Sequence, residues 1–145
     1  MFKKLAVSSY IILFAVVASI VGIVGLLVSH GVANAYALKN IGLVVTLSII
    51  GTLLCLVASF VPLKFGNHDF VSTISIVGAV ALFMVCFGMM VEPRILDIGG
   101  LFSYNSQNAL GWSMFTGIIV GAIGYILACL ALIVAAFMPS KKKAQ

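Results

Sequence analysis

The chain has 145 residues, 63% of them apolar and 8% charged, and its mean hydropathy is +1.31. A soluble domain carries about 25% charged residues to keep its surface wet, so this composition excludes a water-soluble globule. The net charge of +5 does not point to nucleic acid, because the basic residues stand in short flanks beside apolar runs, where membrane proteins use them to set orientation.

A membrane-spanning helix needs about 20 mostly apolar residues. Four runs qualify, at roughly 5–28, 41–61, 70–91 and 114–138. The fold class they predict is an all-α membrane protein, an antiparallel bundle of four transmembrane helices in one domain. The first run follows Lys3-Lys4 and precedes Ala33-Asn34-Ala35, a pattern that invites comparison with a signal peptide. A signal core is only about 7–15 residues long, so this longer run reads as a true first span. It carries Ser8, Ala15, Ala18, Gly22, Gly25 and Ser29 at helical spacing.

The second run, with a looser small row at Ser48, Gly51, Cys55 and Ala58, is expected to end at Pro62. The third carries Gly78, Ala81 and Gly88 and is followed by Pro93. It also holds Met84, Cys86, Met89 and Met90, soft sulfur atoms of the kind that bind Cu(I). Apolar filling is the expected role, since Met and Cys pack as adaptable hydrophobes. After it comes a segment, 92–113, expected to be a loop. Its Arg94, Tyr104 and Trp112 belong to the residue types that dominate interface hot spots, so it is a candidate partner-binding loop.

The fourth run is the most informative. Gly117, Gly121, Gly124, Ala128, Ala131 and Ala135 are spaced 4, 3, 4, 3, 4, with a second small row at Ala122, Cys129 and Ala136. The remaining positions from Ile118 to Phe137 are bulky. In lipid no hydrophobic gain drives helices together, so close backbone approach through small residues has to supply the packing. Ala15, Ala18, Gly22 and Gly25 on the first helix are therefore expected to meet the fourth helix along this seam. A repeat near 3.5 residues implies left-handed supercoiling. Pro139 closes the run.

Basic residues set the topology. Lys3, Lys4, Lys64 and Lys141 to Lys143 share one side; the other has only Lys39 and Arg94. The positive-inside bias puts both termini in the cytoplasm. The expected location is the plasma or cytoplasmic membrane. The endoplasmic reticulum is the alternative, because Lys142-Lys143-Ala144-Gln145 resembles a dilysine retrieval signal.

Function in membrane helices usually shows as intramembrane charge. Every Asp, Glu, Lys and Arg here falls outside the four runs or at their ends. His30 and His68 are predicted at opposite membrane faces, so they cannot share a metal, which needs several convergent ligands. The cysteines Cys55, Cys86 and Cys129 form no Cys-x-x-Cys pair. The expectation is a protein that is not an enzyme and has no cofactor or metal. The layout, with cytoplasmic termini and a longer second outer loop, resembles tetraspan families such as the MARVEL-domain proteins. It lacks the long first outer loop with Trp and paired Cys that marks the claudins, and no residue roles are carried over from either. The functional expectation is a scaffold or accessory subunit of a larger membrane assembly, with a membrane-protein partner or a second copy of itself besides lipid. The alternative is a small transporter or channel component with a pathway between protomers, lined by Thr46, Ser48, Thr52, Ser59, Thr73, Ser75 and Thr116. Tyr125, deep in the fourth run, is expected to bond a backbone carbonyl or a Thr of a neighbouring helix.

Overall fold

The computed structural model describes residues 7–65 and 69–138, with the side chains of all but residues 62–65 and 69. Lys3, Lys4, the Lys64 side chain, His68, Pro139 and Lys141 to Lys143 lie outside what is described, as does the beginning of the first run. The chain forms α1 (Val7–Gly31), α2 (Ile41–Phe65), α3 (Asp69–Val91), α4 (Ile95–Ser103) and α5 (Ala109–Ala136), with 3-10 turns at Asn34–Tyr36 and Glu92–Arg94. Four of these helices are long and apolar enough to cross a membrane, as an integral multi-pass protein requires.

The long helices stand as a four-helix bundle in the order α1, α2, α3, α5, with α5 closing back on α1. Contacts fix the directions. Along α1 the positions Gly22, Gly25 and Ser29 meet Gly124, Gly121 and Gly117 in turn, so α1 and α5 are antiparallel. On α3, Val80, Phe83 and Met90 meet Cys129, Tyr125 and Gly121, so α3 and α5 are antiparallel too. One end of the bundle holds the α1–α2 connection and α4. The other holds the end of α2 and the start of α3.

All four long helices are apolar on every side, as expected of helices surrounded by lipid and not by water. Along the facing sides of α1 and α5 the buried positions are mostly small. Ala15, Gly22, Gly25, Gly121, Gly124 and Ala128 are buried, whereas Phe14, Ile20, Leu53, Val77 and Leu130 are at least half exposed and form the outer belt.

Three boundaries differ from the sequence expectation. α2 does not stop at Pro62 but runs to Phe65. Proline has no N–H, so the carbonyl of Ala58, four residues back, loses its usual helical partner. Ser72 of α3 donates its hydroxyl to that oxygen at 3.3 Å. The second departure is at Pro93, which sits in the first turn of a 3-10 segment that carries the helical path of α3 on into α4. Early helical positions tolerate proline because their N–H groups have no intrahelical acceptor anyway. Third, the segment expected as a loop from 92 to 113 is mostly helical. Its irregular part is the connection between Ser103 and Ala109, where Asn108 caps α5 by accepting from the Gly111 amide at 3.0 Å.

The register expected for α3 also differs. Ala81 is exposed, and nothing lies within 4 Å of where a side chain would begin at Gly88. The buried stripe is instead Ser72, Ser75, Ile76, Ala79, Phe83, Cys86 and Met90.

Candidate functional site

The seam between α1 and α5 brings the predicted small residues together. A Cβ placed on Gly25 would collide with the backbone of Gly121, and one on Gly124 with the backbone of Gly22. On Gly117 it would lie 2.8 Å from the Ser29 amide nitrogen. Ala15, Ala18, Ala128, Ala131 and Ala135 are buried along the same two helices. The helices therefore meet backbone to backbone, at a distance only glycine permits. Toward α3 the seam is more forgiving. The nearest atoms to a Cβ on Gly121 are the thioether sulfur and methyl of Met90, the far end of a flexible side chain.

Beside this seam runs a set of hydroxyl contacts. Tyr125 is 1% exposed and lies 2.8 Å from the Ser48 hydroxyl, across the bundle diagonal, while its ring stacks on Phe83 at 5.9 Å. Ser48 in turn reaches the Val44 carbonyl at 2.9 Å and Cys86 Sγ at 3.2 Å. One assignment of protons satisfies the group: Tyr125 donates to Ser48, and Ser48 donates to Val44. The partner is thus a serine, where a carbonyl or threonine was expected. On the neighbouring face, Ser19 and Thr52 stand 3.0 Å apart. Ser19 also reaches the Val16 carbonyl and Thr52 the Ser48 carbonyl. These two hydroxyls have two protons for three contacts, so at any moment one of the three carries no proton.

Arg94 is the residue whose position the sequence did not foretell. It is 2% exposed, and its side chain turns into the fold toward α1 and the α1–α2 connection. Nη1 donates to the Ser29 hydroxyl at 2.8 Å; Nη2 donates to the Ser29 carbonyl at 3.3 Å and to the Tyr36 carbonyl at 2.6 Å. Nε has no partner. Tyr36 is held from a second side, since its hydroxyl accepts from Asn108 at 2.8 Å. His30 completes the tie: its Nδ1 accepts from the Leu38 amide at 3.0 Å. Arg94 therefore fastens the segment after α3 to the end of α1 and to the α1–α2 connection. The helical continuation through Pro93 is what swings it inward.

Tyr104 and Trp112 are placed apart from it. Tyr104 is 86% exposed. Trp112 lies in the first turn of α5, donates Nε1–H to the Ser106 carbonyl at 2.8 Å, and packs edge-on against Phe102 and Phe115. That aromatic trio sits where the bundle end meets α4.

The sulfur residues of α3 divide. Met84 is about half exposed, Cys86 and Met90 are buried, and Met89 borders a cavity. Among the described residues no group of three or more His, Cys, Asp or Glu is placed to hold a metal ion. The three cysteines are free and buried.

The cavity lies at the connection end and has a volume of about 490 Å³. The residues 35–40, Val44 and Met89 form part of its wall, and Glu92, Pro93, Arg94 and Asp97 the rest. A second hollow, of about 270 Å³, opens along the α1–α5 seam between Val24, Val28 and Val120, with Ser113 and Thr116 at its edge. No family model, curated protein or solved structure matches the chain.

Proposed function

We propose that this protein is a non-catalytic tetraspan that scaffolds a larger membrane assembly or serves as its accessory subunit, with both termini in the cytoplasm. The observation that carries the reading is how the helix hydroxyls are used. Thr46, Ser48, Thr52 and Thr116 each donate to the carbonyl one turn back on their own helix, to Gly42, Val44, Ser48 and Trp112. A hydroxyl bonded in this way commits its one proton to its own helix and has none left to donate to a permeating solute. Ser59 does not follow this pattern: its hydroxyl is buried without a partner.

The small-residue seam supports the same reading, because it makes one rigid pair of helices with bulky outer faces left for lipid or for a neighbour. The expected topology places the Arg94 end outside the cell, and the exposed Tyr104 and the Trp112 cluster with it. The partner would be another membrane protein or a second copy of this chain.

The test is cross-linking in intact membranes, gentle-detergent purification and identification of what remains bound. A partner present in fixed ratio is the expected result. A homo-oligomer with no other protein, which gives solute flux in liposomes, would replace this reading with the channel or transporter alternative. Sidedness is checked with single cysteines in a background free of the native ones. A cysteine at Ser106 should react with an impermeant thiol reagent in intact cells, and one at Lys3 or Lys143 should not.

A further inference from the structure

The short helix α4 leaves apolar side chains that the bundle does not cover. Ile95, Ile98 and Phe102 recur at 3 and 4 along it and so share one side, while Asp97 falls on another. Ile98 packs against the core, but Ile95 is 58% and Phe102 65% exposed. Phe102 meets Trp112 and Phe115 of α5 edge-on, at 5.2 and 5.4 Å. Those two rings head a stripe on α5 that continues through Ile119, Ile123, Ile126 and Leu130, all exposed. The stripe belongs to the outer belt of the bundle. The uncovered side of α4 is therefore continuous with the surface that lipid has to cover.

Helix lengths give its depth. α3 has 23 residues and ends at Val91. At about 1.5 Å per residue it measures about 34 Å, enough by itself to cross a hydrocarbon core of about 30 Å. Asp69 opens it and Glu92 follows it, so both ends belong to polar layers. The chain from Glu92 onward thus starts in the headgroup layer. α5 agrees, with 28 residues. Its length of about 42 Å matches a bilayer with its headgroups, about 40–45 Å. The sequence sets Lys141 to Lys143 just beyond its far end, and lysine keeps its ammonium at the membrane surface. That leaves the first turn of α5, with Trp112, in the headgroup layer at the Arg94 end.

We propose that α4 is an interfacial helix, lodged in the headgroup layer at the Arg94 end, with Ile95 and Phe102 reaching the top of the acyl chains. Its partner is phospholipid. A short helix with one apolar side and a carboxylate on another suits that layer, where acyl chains and water lie a few ångströms apart. Together with Trp112 it fixes how deep the bundle sits. The inference rests on the four spans and holds whether the chain scaffolds or transports.

Trp112 is the chain's single tryptophan, so the unaltered protein carries its own depth probe. The experiment places the full chain in phosphatidylcholine nanodiscs and compares four quenchers of its fluorescence. Three are phosphatidylcholines, with a nitroxide on the headgroup, bromine near the top of the acyl chain, or bromine near the chain end. The fourth is iodide in the water. The two shallow lipid quenchers should act at least twofold more strongly than either chain-end bromine or iodide. Strongest quenching by iodide would put this end in water, and strongest quenching by chain-end bromine would put it in hydrocarbon. Quenching by none would mean that protein covers it. Each of these results overturns the proposal. A second measurement reads α4 itself, with a nitroxide on Ile95→Cys or Asp97→Cys in a background free of the native cysteines. The ratio of collisions with oxygen to collisions with a water-soluble nickel chelate should be at least twofold higher at 95 than at 97. Equal ratios at folded variants would overturn the proposal; should the labelled variants not fold, the Trp112 result decides it.

Discussion

The two antiparallel pairs of this bundle solve the same problem with different parts. α1 and α5 meet backbone to backbone, Gly25 on Gly121 and Gly22 on Gly124. α2 and α3 meet through side chains: the ring of Phe83 lies over Gly51, Leu54 reaches Gly78, and Ser72 bonds the Ala58 carbonyl that Pro62 leaves free. The first contact has no part that can yield. The second is made of rotatable groups. The difference teaches that a glycine's tolerance depends on what stands opposite it, not on its being glycine.

The largest expected effect is at Gly25→Leu. Its side chain would have to occupy the space of the Gly121 backbone, so the helices must separate, and overpacking of this kind typically costs about 1–3 kcal/mol. The top of that range is expected here, with loss of the folded bundle in harsher detergents; a melt equal to that of the parent would break the contrast between the two pairs. Ser29→Ala comes next. It keeps the seam's small size but removes the hydroxyl that accepts from Arg94 Nη1. Leaving a buried charged donor with one partner fewer should cost roughly 1.5–3 kcal/mol, read as a lower unfolding midpoint. Equal stability would show that water replaces the hydroxyl. Tyr125→Phe should be milder, about 1 kcal/mol, because Ser48 keeps its bond to the Val44 carbonyl when the phenol hydroxyl is gone. Cellular activity should survive it. Loss of activity at unchanged protein level would argue for chemistry at Tyr125 and against the scaffold reading.

The membrane class was legible in composition and the four helices in the lengths of the apolar runs, and the residues of the α1–α5 seam were legible in spacing, because only small residues recur at 4 and 3 along Gly117 to Ala135. The stripe of α3 was hidden for the converse reason. Where every face of a helix is apolar, periodicity carries no signal, and the buried row mixes Ser72 and Ala79 with Phe83 and Met90. Arg94 was read as part of a loop because Pro93 follows the third apolar run. In the fold it opens the next turn, and that turn carries the guanidinium to Ser29 and Tyr36. A lone arginine beside two carboxylates, just after the third run of a chain otherwise free of intramembrane charge, was the available signal. What no sequence pattern supplied was depth, which separates Arg94 from the exposed Glu92 and Asp97 in the same short stretch.

The central structural claim is that backbone contact between α1 and α5 holds the bundle, and one pair of variants tests it most directly. Gly25→Ala and Gly88→Ala add the same methyl group in mid-helix, one against the Gly121 backbone and one where nothing lies within 4 Å. Thermal unfolding of both in the same mild detergent should give shifts of opposite sign. Gly88→Ala should gain up to about 1 kcal/mol from lower chain entropy in the unfolded state, and Gly25→Ala should lose stability. If Gly25→Ala is as stable as Gly88→Ala, the helices do not meet there and the account of the seam fails.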